Sequence, residues 1–319
     1  YHMKILAIQN RMGIGDTVIF LPFIKALYKK FNSPISLLVK DSSKANQYLS
    51  ETNYIDEIII LERDGNNTSR HSGIFGSFNL IKDLKRYNFD KIFIFNSSLR
   101  FNLIARFSNI PEIYQYPLFD KHEQHITDTP KKFLKNNLDL EVNEDPDIQI
   151  SDISVNKTNE KFKISNNELN ILLGIGGSGP TKRIPSRIFL EVIEKISKVK
   201  KCKFFLATGK GHEEQIILNE ILNSKFKNYC IPLDDFSIKE TLPIIKCCDL
   251  SICNDSSFSH LSAALSIKTI TLMADTPLIY GNYSSKMYPV IPDGVETVGH
   301  NTLGKEKINS QKIYEKILE

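Results

Sequence analysis

The sequence predicts an α/β protein of two halves, each a parallel sheet covered by helices, and three observations predict it. Short apolar runs of strand length alternate with segments whose apolar residues recur at helical spacing. That rhythm stops over a polar stretch at residues 140–168 and then resumes. The chain has 319 residues, enough for about two domains of ~150 residues.

The elements follow in order. Residues 3–9 read as a buried strand, and residues 16–30 as a helix with Val18, Leu21, Phe23, Ile24, Leu27 and Tyr28 at helical spacing. Strands are expected at 35–39, 55–61 and 91–95. Helical pattern runs through Ala45, Tyr48 and Leu49, and again over 80–86 and 99–107. In the second half the expected strands are 170–174, 202–207, 250–253 and 269–272, with helices at 187–199, 217–222, 238–246 and 258–265. An amphipathic helix at 307–318 ends the chain. Right-handed strand–helix–strand units make each sheet parallel. The expected domains are therefore 1–150 and 169–319, joined by an irregular linker at 151–168, with the last helix able to pack back on the first domain. Met3 is the expected natural start, with Tyr1 and His2 as additions ahead of it.

Composition narrows the function. Hydrophobic content of 41% and charged content of 24% are those of an ordinary globular protein. No run reaches the ~18–20 apolar residues of a membrane helix, and no apolar leader is read at the N-terminus. Net charge is +4, with cations and anions interspersed and no basic block interleaved with aromatics, so nucleic acid is not an expected partner. The five cysteines, Cys202, Cys230, Cys247, Cys248 and Cys253, show no metal spacing and read as reduced, buried thiols of a cytoplasmic protein. The His122–His125 segment has metal-like letters without partners and is expected to be a loop.

Three motifs carry chemistry, each at the carboxyl end of an expected strand. The first spans Arg11 to Thr17. Gly13 and Gly15 let backbone approach a ligand, and the following helix start offers free N–H groups. Asp16 is either a helix cap or a general base. With Asp41 as a ribose-binding acid, Gly13 and Gly15 also support an NAD-dependent oxidoreductase, although a carboxylate at Asp16 would repel the pyrophosphate. The second spans Gly174 to Pro185, where Gly176, Gly177 and Thr181 sit in a phosphate-facing loop and Lys182 or Arg183 neutralises a diphosphate. The third is the strand–turn–helix from Asp249 to Ala264, with Asp255, Ser256 and Ser257 at the helix start and His260 one turn in. In the first half, Ser98 and Arg100 follow the fourth strand, with His125 nearby.

Taken together, the opening from Ile5 to Leu27, the glycine loop through Lys182-Arg183-Ile184-Pro185, and the Cys247–Pro277 segment resemble glycosyltransferase family 9, in the right order over most of the chain. The resemblance implies two Rossmann-like domains facing across a cleft, the GT-B fold. It also implies transfer of a sugar, ADP-heptose being the implied donor, to a saccharide or lipopolysaccharide-core acceptor. In that reading Asp16 is the base, and Lys182 holds the donor diphosphate. The Asp255–Ser257 turn meets the donor, His260 supports the turn, and Thr276 lies beside the nucleotide. Gly13, Gly15, Ser98 and Arg100 are left to the acceptor. No metal or other cofactor is implied. The implied location is cytoplasmic, with peripheral contact at the inner face of the cytoplasmic membrane. A sugar-nucleotide epimerase or hydrolase on the same fold and a non-catalytic nucleotide-sugar-binding protein are the remaining alternatives. Ser257 stands where the family has Gly, Met273-Ala274-Asp275 where it has Phe-Gly-Pro, and Ile184 where it has Trp.

Overall fold

The structure, a computed structural model, describes residues 2–63, 68–120, 124–177 and 179–319. The chain divides into two compact units, Tyr1–Gln149 and Ile150–Glu319.

The first unit runs β1 (Ile5–Ile8), α1 (Ile14–Phe31), β2 (Ile35–Lys40), α2 (Ala45–Tyr48), β3 (Ile55–Leu61) and α3 (Gly73–Lys85). It continues with β4 (Lys91–Ile94), α4 (Leu99–Phe107), β5 (Glu112–Gln115) and α5 (Asp128–Leu138). Its sheet has the order β3-β2-β1-β4-β5, and every pairing is parallel. Strands buried on both faces read as unbroken apolar runs, as Ile5–Ile8 does.

The second unit opens with α6 (Asp152–Lys161), β6 (Leu169–Gly174), α7 (Ser186–Ser197), β7 (Cys202–Ala207), α8 (His212–Leu222) and β8 (Cys230–Pro232). It closes with α9 (Ile238–Lys246), β9 (Leu250–Asn254), α10 (Ser257–Ala264), β10 (Lys268–Leu272), β11 (Met287–Val290) and α11 (Ser310–Leu318). Its order is β11-β10-β9-β6-β7-β8, again all parallel. Both sheets are thus doubly wound. Strand order reverses between β1 and β4 in one and between β6 and β9 in the other, and ligands of such folds bind at the carboxyl ends flanking that reversal.

One expectation is corrected. The supposed irregular linker holds α6, whose start is capped by Ser151 accepting from the Ser154 N–H at 3.2 Å. Its face is almost entirely polar, so it carries little periodicity; contact with α9 holds it in the second unit. The last helix has its packing within the second unit. α11 packs on α7, β10 and β11, with Ile313 fully buried in the second core, because its one apolar stripe matches that sheet face. Three strands had no counterpart in the sequence reading: β5, β8 and β11, each on a sheet edge. The cysteines are free thiols, and burial pushes that of Cys253 up to about 12. Among the described residues no helix is long and apolar enough to cross a membrane.

Candidate functional site

In the second unit the glycine loop leaves β6 and the Asp255–Ser257 turn leaves β9, on the two sides of the strand-order reversal. The two segments touch. A Cβ built on Gly177, whose φ is +140°, would stand 3.6 Å from the Cβ of Ser256. Asn254 ties them together by donating its side-chain amide to the carbonyls of Ile175 and Gly176, both at 3.1 Å.

A residue outside the three motifs shapes the loop. One carboxylate oxygen of Glu214, in the first turn of α8, accepts from Gly177 N–H (3.1 Å), Gly209 N–H (2.8 Å) and the Thr208 hydroxyl (3.1 Å). Gly176 passes so close that an added Cβ would lie 2.4 Å from this oxygen and 2.9 Å from the Thr208 Cα. Arg183 closes the other side through Gly177 O at 2.6 Å and an ion pair with Glu213. That engagement takes Arg183 away from the diphosphate role open to it in the sequence and leaves Lys182. Glu214→Ala strips three partly buried donors of their acceptor, and a charged acceptor makes each bond stronger than a neutral one. A loss of about 1–3 kcal/mol is expected in urea unfolding of the chain, and an unchanged midpoint would contradict the clamp.

Lys182 ends a 3-10 turn, Pro180–Lys182, and its ammonium lies 3.5 Å from Asp255. Asp255 is buried. Burial alone would raise its carboxyl pKa, but His260, with Lys182, outweighs that and holds it at about 2, so it is ionised throughout the neutral range. His260 stands 3.7 Å from Asp255 through Nε2 and 2.6 Å from the Tyr283 hydroxyl through Nδ1, with the two rings stacked. Desolvation and the Asp255 charge push the Tyr283 phenol well above its ordinary range. Tyr283 and Nδ1 share one hydrogen bond while Nε2 faces Asp255. His260 is thus a buried support of the turn.

The turn is not explained by capping. Ser256 is the N-cap of α10, yet its hydroxyl makes no cap bond. The side-chain oxygens of Asn254, Ser256 and Thr276 are buried without a hydrogen-bond partner among the described residues. Buried polar atoms left this way cost free energy unless a ligand or water meets them. Three of them around a helix N-terminus, with Lys182 beside it, suit an anionic, hydroxyl-bearing ligand. Ser257, at the first position of α10, does not have positive φ, so its backbone does not require the family's glycine. Ile184, in place of Trp, is fully buried in the core. Asp275 is held ionised against burial chiefly by the Leu303 N–H at 2.7 Å, helped by the Thr181 hydroxyl, so it anchors the loop at 299–304.

In the first unit Gly13, not Asp16, is the N-cap of α1; its φ of +93° is what glycine allows there. Asp16 lies in the first helical turn with Gly15, half-buried, and a Cβ on Gly13 would sit 3.9 Å from its carboxylate. Ser98, past β4, caps α4 by accepting from Phe101 N–H, which leaves its own hydroxyl proton available. Arg100 donates to the Ser77 hydroxyl (2.9 Å) and the His71 carbonyl (2.5 Å), with Nη1 buried and unpartnered among the described residues. Asp41 is exposed in a 3-10 turn. His125 accepts from the N–H groups of Thr127 and Asp128 at the start of α5, while His122 lies outside the described residues. No group of three metal-ligating side chains occurs among the described residues.

Glu214 and Tyr283 were not legible as site residues, since each acts on a segment more than twenty residues away in sequence. An acidic residue in a first helical turn signals only a cap.

Comparison with known proteins gives the family. The sequence matches Glycosyltransferase family 9 (heptosyltransferase) over residues 77–316. It is 28% identical over 148 residues to the lipopolysaccharide heptosyltransferase 1 of Campylobacter coli, covering 46% of this chain and 43% of that one. To the lipooligosaccharide heptosyltransferase 2 of Campylobacter jejuni serotype O:2 it is 26% identical over 276 residues, covering 82% of this chain and 78% of that one. The solved structure of E. coli ADP-heptose lps heptosyltransferase II has the same fold, with a TM-score of 0.73 at 18% identity, covering 99% and 98% of the two chains. The chain therefore belongs to glycosyltransferase family 9 (heptosyltransferase) and is a sugar-transferring enzyme.

Proposed function

We propose that the chain moves a heptose from ADP-heptose to a saccharide of a lipopolysaccharide core, by a single inverting displacement that needs no metal. The observation that carries the donor assignment is the cluster at the reversal of the second sheet. There Lys182, the α10 N-terminus and the unpartnered oxygens of Asn254, Ser256 and Thr276 suit a diphosphate and its sugar. The relatives' printed names supply the heptose and the ADP.

In this mechanism the acceptor oxygen attacks the anomeric carbon while the bond from that carbon to the diphosphate oxygen breaks. Asp16 takes the acceptor's proton, and the nucleoside diphosphate leaves with the electron pair. Charge grows on the leaving oxygens in the transition state, where Lys182 and the helix N-terminus stabilise it most. Asp255 fixes Lys182, and His260 fixes Asp255. Gly176, Gly177, Thr181 and Ser257 line the donor, while Gly13, Gly15, Ser98 and Arg100 are assigned to the acceptor. The first unit is thus the acceptor half and the second the donor half. A cytoplasmic place with peripheral contact at the inner membrane face fits this substrate. Family membership replaces the dinucleotide reading of Gly13, Gly15 and Asp41.

The test is thermal unfolding against ADP, UDP, GDP, ADP-heptose and NAD(H). A ligand at 100 times its Kd adds roughly 2.7 kcal/mol to the folded state. Stabilisation by ADP and ADP-heptose alone is the expected result; stabilisation only by NAD(H) or another nucleotide rejects the donor assignment.

A further inference from the structure

A second feature, far in sequence from the donor motifs, lies between α3 and α4, which pack against each other. α3 exposes Ile74, Phe75 and Phe78, and α4 exposes Leu99, Leu103 and Phe107 at a spacing of four, so one face of each helix is apolar and in water. Phe75 is 84% exposed and Ile74 77%. Between the helices runs an almost wholly apolar groove of about 550 Å³, with Arg63 and Arg100 in its lining. Scattered apolar side chains on a surface need no explanation, but a contiguous set around a groove marks an interaction site.

Neither Arg63 nor Arg100 has a carboxylate partner among the described residues, and Arg100's hydrogen bonds go to neutral oxygens. Burial, followed by the nearby Arg63 charge, depresses the Arg100 pKa. Two like charges beside an apolar groove call for an anion on an apolar body. A second copy of this chain answers poorly, because a two-fold contact through this face would bring the arginine pairs of both copies together.

We propose that the α3–α4 face docks on an anionic phospholipid bilayer, the exposed aromatic and aliphatic side chains entering the acyl boundary and Arg63 meeting lipid phosphates. Apolar insertion and attraction to anionic headgroups reinforce each other at such interfaces. The inference rests on the proposed membrane-side function for its biological sense, but its observation is independent of the donor site.

The experiment is co-sedimentation of the full chain with phosphatidylcholine vesicles with and without phosphatidylglycerol. Wild type is expected to partition onto the anionic vesicles about tenfold better, less so at high salt. Phe75→Ser combined with Phe78→Ser should lower partitioning by about tenfold on both, and Arg63→Ala should lower it chiefly on the anionic ones. These side chains are exposed, so folding should persist, which circular dichroism checks. Stabilisation by ADP in the variants separates this proposal from the donor reading, whose failure would show as no ADP effect in wild type. Failure of folded wild type to bind anionic vesicles overturns the docking surface. So does unchanged binding by the double serine variant, or a concentration-dependent dimer that this variant abolishes.

Discussion

Asp16→Asn is expected to lower the rate of sugar transfer by about 10²–10⁴-fold while leaving ADP binding unchanged. On the barrier this is roughly 3–5 kcal/mol. Asparagine keeps the shape of aspartate and its place in the first turn of α1, but cannot take a proton from the acceptor hydroxyl. The donor contacts are assigned to the second unit, so the thermal shift with ADP should match that of wild type. Losing a carboxylate near a helix N-terminus costs about 0.3–1 kcal/mol, too little to unfold the chain. Transfer within about threefold of wild type would remove Asp16 from the mechanism, since a general base contributes at least ~10²-fold. Loss of ADP binding would instead mean that the residue serves the fold or the donor.

Lys182→Ala should reduce kcat by about 10²–10³-fold, with a smaller rise in the donor KM. The asymmetry follows from where the charge appears. The bound donor already carries its diphosphate charge, whereas the leaving oxygen acquires its share only as the glycosidic bond breaks, and a cation beside it acts most strongly then. The side chain is partly exposed, so its ground-state contact with phosphate is screened by water. Substitution also leaves buried Asp255 without one of the groups that hold it ionised, though His260 remains. Steady-state kinetics separates the outcomes. A rise in KM with kcat unchanged would make Lys182 a binding residue only, and Lys182→Arg, which keeps the charge, should recover part of the lost rate.

Apart from β3, an edge strand whose Ile58–Leu61 run is unbroken and apolar, the strands that could be read from the sequence are those with neighbours on both sides. β1, β4, β6 and β9 are buried on both faces and therefore apolar at nearly every position. The edge strands β5, β8 and β11 are only partly covered, and carry Glu112, Gln115, Pro232 and Pro289 where a central strand would carry valine or isoleucine. An edge tolerates such residues because one side of its backbone is unpaired. α6 escaped notice for a related reason. A helix held mainly against α9 needs no broad apolar stripe, so its sequence resembles a linker's.

The site divides the same way. Chain order alone determined that a glycine loop, an Asp-Ser-Ser turn and Asp16 each follow a strand. The parallel, doubly wound pattern then sends them to strand carboxyl ends, because right-handed crossovers leave those ends pointing one way. The tertiary structure decided which side chains meet. It drew Arg183 into the clamp with Glu213 and Glu214, set Asp255 between Lys182 and His260, and put Tyr283 behind that histidine. Glu213 and Glu214 lie more than twenty residues from Arg183 and Gly177, Asp255 from Lys182, and Tyr283 from His260. Hydrogen bonds act over about 3 Å of space whatever the separation along the chain, so no local pattern of residue types announces them.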